Sequence, residues 1–171
     1  VKEPRSHAEP APDWESLARA AAQPPPAEHA GIRRELLVFE LGEVPYALPV
    51  ERVREIVRLR PITPVPRVAP EIRGVISLRG EIVLVIDARR RLQLPQAAPT
   101  RASRIVVVQD REGRPAGILV DAVRAVLRVG EDALRPATAG ESGPVAALCR
   151  SGGQFVSVID PERLLDVDDD A

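Results

Sequence analysis

The sequence predicts a mainly β protein built from two similar small subdomains. Three observations carry this. Short apolar runs rich in Val, Ile and Leu recur along the chain, each bounded by Gly, Pro or Asp. The chain repeats itself: Leu36, Val53 and Asp87 find counterparts in Ile105, Val123 and Asp160, at offsets of 69, 70 and 73 residues. Prolines at 61, 64 and 66 break the one stretch where a long helix could run. Each repeat is about 60–70 residues, marginal as an isolated core, so the two are expected to pack together.

Residues 1–31 read as a proline-rich flexible tail, with Pro4, Pro10, Pro12 and Pro24-Pro25-Pro26. Within it, Asp13 to Ala21 has the makings of a short helix with Asp13 as N-cap. Trp14, Leu17 and Ala21 would form the face of a docking peptide if it is more than a linker. The folded part is 32–171, with subdomain 1 at about 35–94, subdomain 2 at about 103–167 and a join through 95–103.

Leu36 to Leu41 is an apolar strand, Gly42-Glu43 a turn and Pro45 to Leu48 a second strand. Val50, Val53, Ile56 and Val57 then fall at spacings that suit one face of a helix over 50–59. Residues 60–70 are an extended, proline-pinned connection. The stretch IRGVISLRGEIVLVID, 72–87, reads as a hairpin. Ile76 and Leu78 would face the core, with Val75, Ser77 and Arg79 on the other face, and Gly80 supplies a turn residue that tolerates φ > 0. Ile82 to Ile86 is a continuous apolar run, as in a strand covered on both faces. Asp87 then caps a helical turn, Ala88 to Leu92.

The second half repeats this order. Arg104 to Gln109 is a strand, Asp110 to Gly113 a turn and Pro115 to Val120 a strand ended by Asp121. Val123 to Val129 is apolar and interrupted by Arg. Val145–Cys149 and Gln154–Ile159 flank Gly152-Gly153, a hairpin signal. Asp160-Pro161 is an N-cap followed by Pro at the first helical position, and Asp166 and Asp168–Asp170 make a solvated acidic end.

Composition narrows the function. The chain of 171 residues carries 24 basic and 25 acidic side chains, net −1, with the signs interleaved, and only four aromatics, so it offers neither the basic surface nor the stacking platform of a nucleic-acid binder. No apolar run approaches the roughly 20 residues of a membrane span. The single cysteine, Cys149, forms no internal disulfide, which makes a reducing cytoplasm the default. The chain has no Met and begins at Val1, which fits a removed initiator or a piece of a longer chain. From residue 32 onward there is no His and no Lys, which removes His-dependent triads, Schiff-base and P-loop lysines and His/Cys zinc clusters. Carboxylates alone remain. Asp87, Asp121 and Asp160 each follow an apolar strand. Each is expected to cap free N–H groups, with general acid–base work or metal binding as the alternative. Arg52, Arg54, Arg58, Arg60 and Arg89–Arg91 read as a solvated face.

The order LLVFELG, VPYALPVERVREIV, ITPVP, IRGVISLRGEIVLVID, RIVVV and GILVDAVRAVL resembles the CheW-like coupling proteins of bacterial chemotaxis across 35–167. Ser77 and Ala122 depart from the family pattern, which often has Asn and Gly there. The resemblance implies two five-stranded, SH3-like β-barrels with short helices, no catalysis and no cofactor or metal. It implies an adaptor bridging a chemoreceptor's cytoplasmic tip and the regulatory domain of a CheA-type histidine kinase, with other CheW-like domains as further ring partners. Its place would be the cytoplasmic side of a chemosensory array. Family receptor-contact positions fall on Val53, Glu55, Gly74 and Arg79, in a groove between subdomains. Exposure beside Arg79 adds Val75 and Gly80. Kinase and ring contacts are expected at barrel ends. Two other readings stand beside this one: a CheW-like domain that docks a longer scaffold onto the array, and a carboxylate enzyme using two of the three strand-end Asp residues.

Overall fold

The computed structural model describes residues 33–137 and 143–167. The tail at 1–31 with its Trp14 segment, and the acidic residues Asp168–Asp170, lie outside the described residues. The described chain is mainly β, in two SH3-like barrels. Strands run β1 Arg33–Leu41, β2 Val44–Pro49, β3 Val53–Arg58, β4 Ile72–Leu78, β5 Glu81–Asp87, β6 Arg104–Gln109, β7 Pro115–Val120, β8 Ala122–Gly130, β9 Leu134–Pro136, β10 Val145–Ser151 and β11 Gln154–Ile159. Two short helices, α1 Ala88–Arg91 and α2 Pro161–Leu165, close the two repeats.

The barrels do not follow the halves of the sequence. One sheet has the order β3-β6-β7-β5-β4 and the other β8-β1-β2-β11-β10-β9. Each repeat therefore gives its first hairpin to the other repeat's barrel. Barrel B is built from 53–120, and barrel A from 33–49 together with 122–159. The division at 95–103 is corrected accordingly: that loop joins β5 and β6 within barrel B. The reason is pairing. Apolar β6 lies between β3 and β7, with Ile105 opposite both Val57 and Leu119, while β1 pairs β8 with Leu36 opposite Leu127. The repeat survives as a pseudo-twofold relation. The parallel pair Leu84↔Ala116 matches Ser157↔Tyr46. The lone bridge Thr63↔Val75 matches Pro136↔Ala147, so β9 is the counterpart of the strap before β4 and accounts for the sixth strand of barrel A.

Three apolar clusters follow from alternation along the strands. Leu36, Val38, Ala47, Cys149, Val156 and Val158 fill barrel A. Ile76, Leu78, Val83, Val85, Ile105 and Val107 fill barrel B. The opposite faces of the same strands, with Phe39, Leu48, Val106, Ile118, Ala88 and Leu164, pack into a third cluster drawn from both barrels. Strands that bury both faces read as continuous apolar runs for this reason. The run Ile82–Ile86 is covered on both faces only in part: Val83 and Val85 are fully buried, whereas Ile82 is 75% exposed.

The helix expected over 50–59 is a 3-10 turn, Val50–Arg52, followed by strand β3. Val50, Val53, Ile56 and Val57 are all β-branched, which favours strand over helix. Burial alternates along β3, but a bulge between Val53 and Glu55 turns Val53, opposite Val108, toward the cluster drawn from both barrels, while Glu55 and Val57 lie opposite Val107 and Ile105 of the barrel B core.

Candidate functional site

Of the candidate partner residues, Glu55, Arg79 and Gly80 meet at the β4–β5 turn, within barrel B and not in a groove between the two barrels, whereas Val53 packs against the cluster drawn from both barrels and Gly74 and Val75 lie under the strap. β3 and β4 are the two edges of the barrel B sheet, and side chains join β3 and its exit to the β4–β5 hairpin. Arg54 pairs with Glu81 at 2.9 Å, Arg79 with Glu55 at 3.2 Å, and Arg60 donates to the Ser77 carbonyl at 2.9 Å. Arg79 is not on the strand face that alternation gives it. It occupies a two-residue turn with Gly80, with φ of 53° and 86° at the two positions. Leu78 and Glu81 pair across this turn, the arrangement in which a hairpin needs positive φ twice. The guanidinium is 74% exposed and reaches back over the seam to Glu55, whose side chain is mostly covered. Val53, half-buried, begins the same strand as Glu55. Nothing stands within 4 Å of where a Gly80 Cβ would be.

Gly74 has a different basis. Its φ is +136°, and a Cβ there would meet the Thr63 carbonyl oxygen at 2.1 Å. Thr63 belongs to the proline-pinned strap, which bonds β4 in both directions: Thr63 N to Val75 O at 2.9 Å and Val75 N to Thr63 O at 2.8 Å. Gly74 thus lets the strap lie on the strand. Its neighbour Val75 looks into an open cleft of about 860 Å³. Ile82 and Leu84 share that wall, and Arg111 on the β6–β7 turn and Glu162 on α2 form part of the rim. Sequence reasoning found the β6–β7 turn and the start of α2 but gave neither a place at a site. Only the folded strand order brings them opposite β5, and no spacing signals it.

Asp87 and Asp160 cap helices as expected. Asp87 accepts from the Arg89 and Arg90 N–H groups at 3.0 and 3.3 Å, and Asp160 from the Glu162 N–H at 2.9 Å. Asp121 caps no helix; the free N–H it receives belongs to the β1–β2 turn, far along the chain. It follows β7 with strand β8 after it, so no helix N-terminus is there to receive it. Its carboxylate instead takes the Arg89 guanidinium, with Nη2 to Oδ2 at 2.5 Å, and the Gly42 N–H at 2.6 Å. Burial opposes the charged form of Asp121, but the Arg89 guanidinium and the Gly42 N–H together hold its carboxyl below the usual range.

The triplet Arg89–Arg91 is likewise tied down rather than a solvated face. Arg89 is only 14% exposed. Arg90 donates to the Pro70 carbonyl at 2.6 Å, and Arg91 to the carbonyls of Arg163, Leu164 and Asp166 at the end of α2. Among the described residues no cluster of three His, Cys, Asp or Glu is placed to hold a metal ion. No helix among them is long and apolar enough to cross a membrane.

A family model described as the CheW-like domain matches residues 35–169. The chain belongs to the CheW-like family. It is 32% identical over 136 residues to the chemotaxis protein CheW of Bacillus subtilis, covering 77% of this chain and 86% of that protein. It is 35% identical over 103 residues to the chemotaxis protein CheW of Rhizobium meliloti, where the match spans 60% of this chain and 66% of that protein. The crystal structure of the scaffolding protein TtCheW from Thermoanaerobacter tengcongensis superposes with a TM-score of 0.76 at 29% identity, covering 81% of this chain and 96% of that one. The CheW-like fold thus accounts for both barrels.

Proposed function

We propose that this chain is a non-catalytic adaptor of a chemotaxis-type array, coupling the cytoplasmic tip of a chemoreceptor to the regulatory domain of a CheA-type histidine kinase. The observation that supports the reading is the exposed Arg79 side chain paired to Glu55 over the seam of barrel B, on a chain whose family match runs from 35 to 169. The resemblance assigns both residues, with Val53 and Gly74, to receptor contact. A fork of donors beside a carboxylate suits the polar side of a receptor helix. Gly74 and Val75 complete the patch by fixing β4 beneath the strap, and Gly80 leaves the approach to Arg79 open. Contacts with the kinase, or with other CheW-like domains in a ring, belong to the barrel ends. Ile82 beside one hairpin turn and Phe155 beside its pseudo-equivalent are the most exposed large apolar side chains among the described residues, at 75% and 63%. The adaptor works on the cytoplasmic side of the array.

The test is Arg79→Glu, which places two carboxylates together. Arg79 is solvent-exposed above a mostly covered Glu55, and the pair contributes about 1 kcal/mol to folding, so melting should move little. Binding to a purified chemoreceptor-tip fragment, read by calorimetry, should weaken by more than about tenfold, as for a lost contact of 1.4 kcal/mol or more. Arg79→Lys should be impaired too, because an ammonium does not reproduce the fork. Unchanged affinity in Arg79→Glu would sink this reading, and loss of folding would make Arg79 a structural residue.

A further inference from the structure

The backbone passes between the barrels twice, once from β2 to β3 through Val50–Arg52 and once from β7 to β8 through Asp121. Each passage carries one charged side chain that ties together a helix and a hairpin turn. At the second passage Asp121 holds Arg89 of α1 and the Gly42 N–H of the β1–β2 turn. At the first, Arg52 holds Glu162 of α2 at 2.8 Å and the Gln109 carbonyl of β6 at 3.3 Å, and Glu162 also takes Arg111 of the β6–β7 turn. Glu162 stands 73 residues after Arg89, the offset of the two capping aspartates, and Arg111 stands 69 after Gly42. The two networks are pseudo-equivalent and opposite in charge: acid at the passage and base on the helix in one, base at the passage and acid on the helix in the other. They cannot exchange partners, because Arg52 would meet Arg89 and Asp121 would meet Glu162.

We infer that these two ion-pair clamps set the angle between the barrels, and that Arg52 and Glu162 are positioning residues for the partner surface. The clamp at Arg52 bears directly on that surface. Arg52 is followed in the chain by Val53, and Glu55 lies two residues further along the same strand. Glu162 draws on one guanidinium from barrel B's β6–β7 turn and one from the passage between the barrels, and the hydrogen bonds of Arg111 and then of Arg52 hold its carboxyl below the usual range. The charge therefore persists throughout the neutral pH range. The inference rests on the adaptor reading for its consequence, but not for its geometry.

The experiment places spin labels on cysteines at Ile56 of β3 and Val126 of β8. These are exposed, pseudo-equivalent positions on different barrels, and the native Cys149 is buried and escapes labelling. Arg52→Glu and Glu162→Arg should each broaden and shift the label-to-label distance distribution, and the double variant Arg52→Glu with Glu162→Arg should restore it in part, because the 52–162 pair re-forms with reversed charges while Arg111 meets a like charge at 162. Glu162→Gln, which keeps the shape and removes the charge, covers the case in which a reversal fails to fold. In parallel, each single variant should weaken binding to the chemoreceptor-tip fragment by about fivefold or more, the range of coupled sites, with recovery in the double. An unchanged distance distribution in folded single variants overturns the inference, and so does a double variant that restores neither readout. A distance that responds while receptor binding stays indifferent even to Arg79→Glu leaves the clamp standing and removes the adaptor reading instead.

Discussion

Gly74→Ala separates structure from recognition at a position assigned to the partner surface. Two costs can be worked out. At φ +136° an alanine occupies a region that side chains rarely adopt, worth on the order of 1–3 kcal/mol. Its Cβ would lie 2.1 Å from the Thr63 carbonyl oxygen and 2.8 Å from the carbonyl carbon, both backbone atoms that no rotamer change can move. The strap must lift, and the two Thr63–Val75 hydrogen bonds stretch or break, at about 0.5–1.5 kcal/mol each. Together the loss is about 2–6 kcal/mol, a large part of the roughly 5–15 kcal/mol that holds a domain folded. Thermal unfolding would read the middle of that range as a drop in Tm of roughly 15 °C, at about 3–5 °C per kcal/mol for a domain of this size. Gly80→Ala is the control. Its φ is also positive, at +86°, but its Cβ would meet nothing, so the cost should stay near the roughly 1–2 kcal/mol of the left-handed conformation alone. Equal midpoints for the two variants would show that the strap's approach is not what demands glycine at 74. If Gly74→Ala behaves as expected, any lost partner binding in it traces to a displaced strap and not to a lost contact.

Other expectations follow from the carboxylates. Asp87→Ala and Asp160→Ala should each cost about 0.5–2 kcal/mol in urea unfolding, with Asp→Asn costing less because an amide oxygen still accepts from the helix N–H groups. Equal losses for Ala and Asn would speak against capping. Asp121 titrates below its unfolded value of about 3.9, so its pairing with Arg89 contributes stability above that pH, which is lost as pH falls through the folded value. The stability difference between the native chain and Asp121→Asn should therefore be constant near neutrality and shrink below about pH 4. A difference that stays flat to pH 2 would show that the charge is not what Asp121 contributes.

The repeat and the hairpin turns were legible because both rest on local chemistry. Glycines at the turns and β-branched runs between them leave few alternatives. The caps at Asp87 and Asp160 were legible for the same reason, since each is followed at once by its helix. Three things were not. Val50 to Val57 presented a helical spacing whose β-branched composition argued the other way, and the edge of a sheet decided it. Asp121 had the same apolar strand before it as the two capping aspartates, and only the absence of a following helix sent its carboxylate to Arg89. The exchange of hairpins left no mark in the sequence at all. Two pseudo-equivalent hairpins fit either barrel by pattern, and which one each joins is a matter of long-range pairing. Of the candidate site, the exposure of Arg79 was legible, although Arg79 reaches it through a turn rather than a strand; that its guanidinium would pair internally with Glu55 was not.

The exchange also orders the chain in time. Barrel B, Val53 to Val120, is continuous and has all its strands once Val120 has been made. Barrel A is interrupted by it. Its β1–β2 hairpin is synthesised first, yet it stays without the neighbours that flank it in the finished sheet until β8 and β11 emerge. A lone hairpin is marginal in water, and this one carries apolar side chains on both faces and two unpaired edges. The interval between the two syntheses is when the protein is most exposed to misassociation. A chain cut after Asp121 would keep a barrel able to close and leave behind a hairpin with nothing to join, whereas a chain lacking Arg33–Pro49 would complete barrel B and never close barrel A.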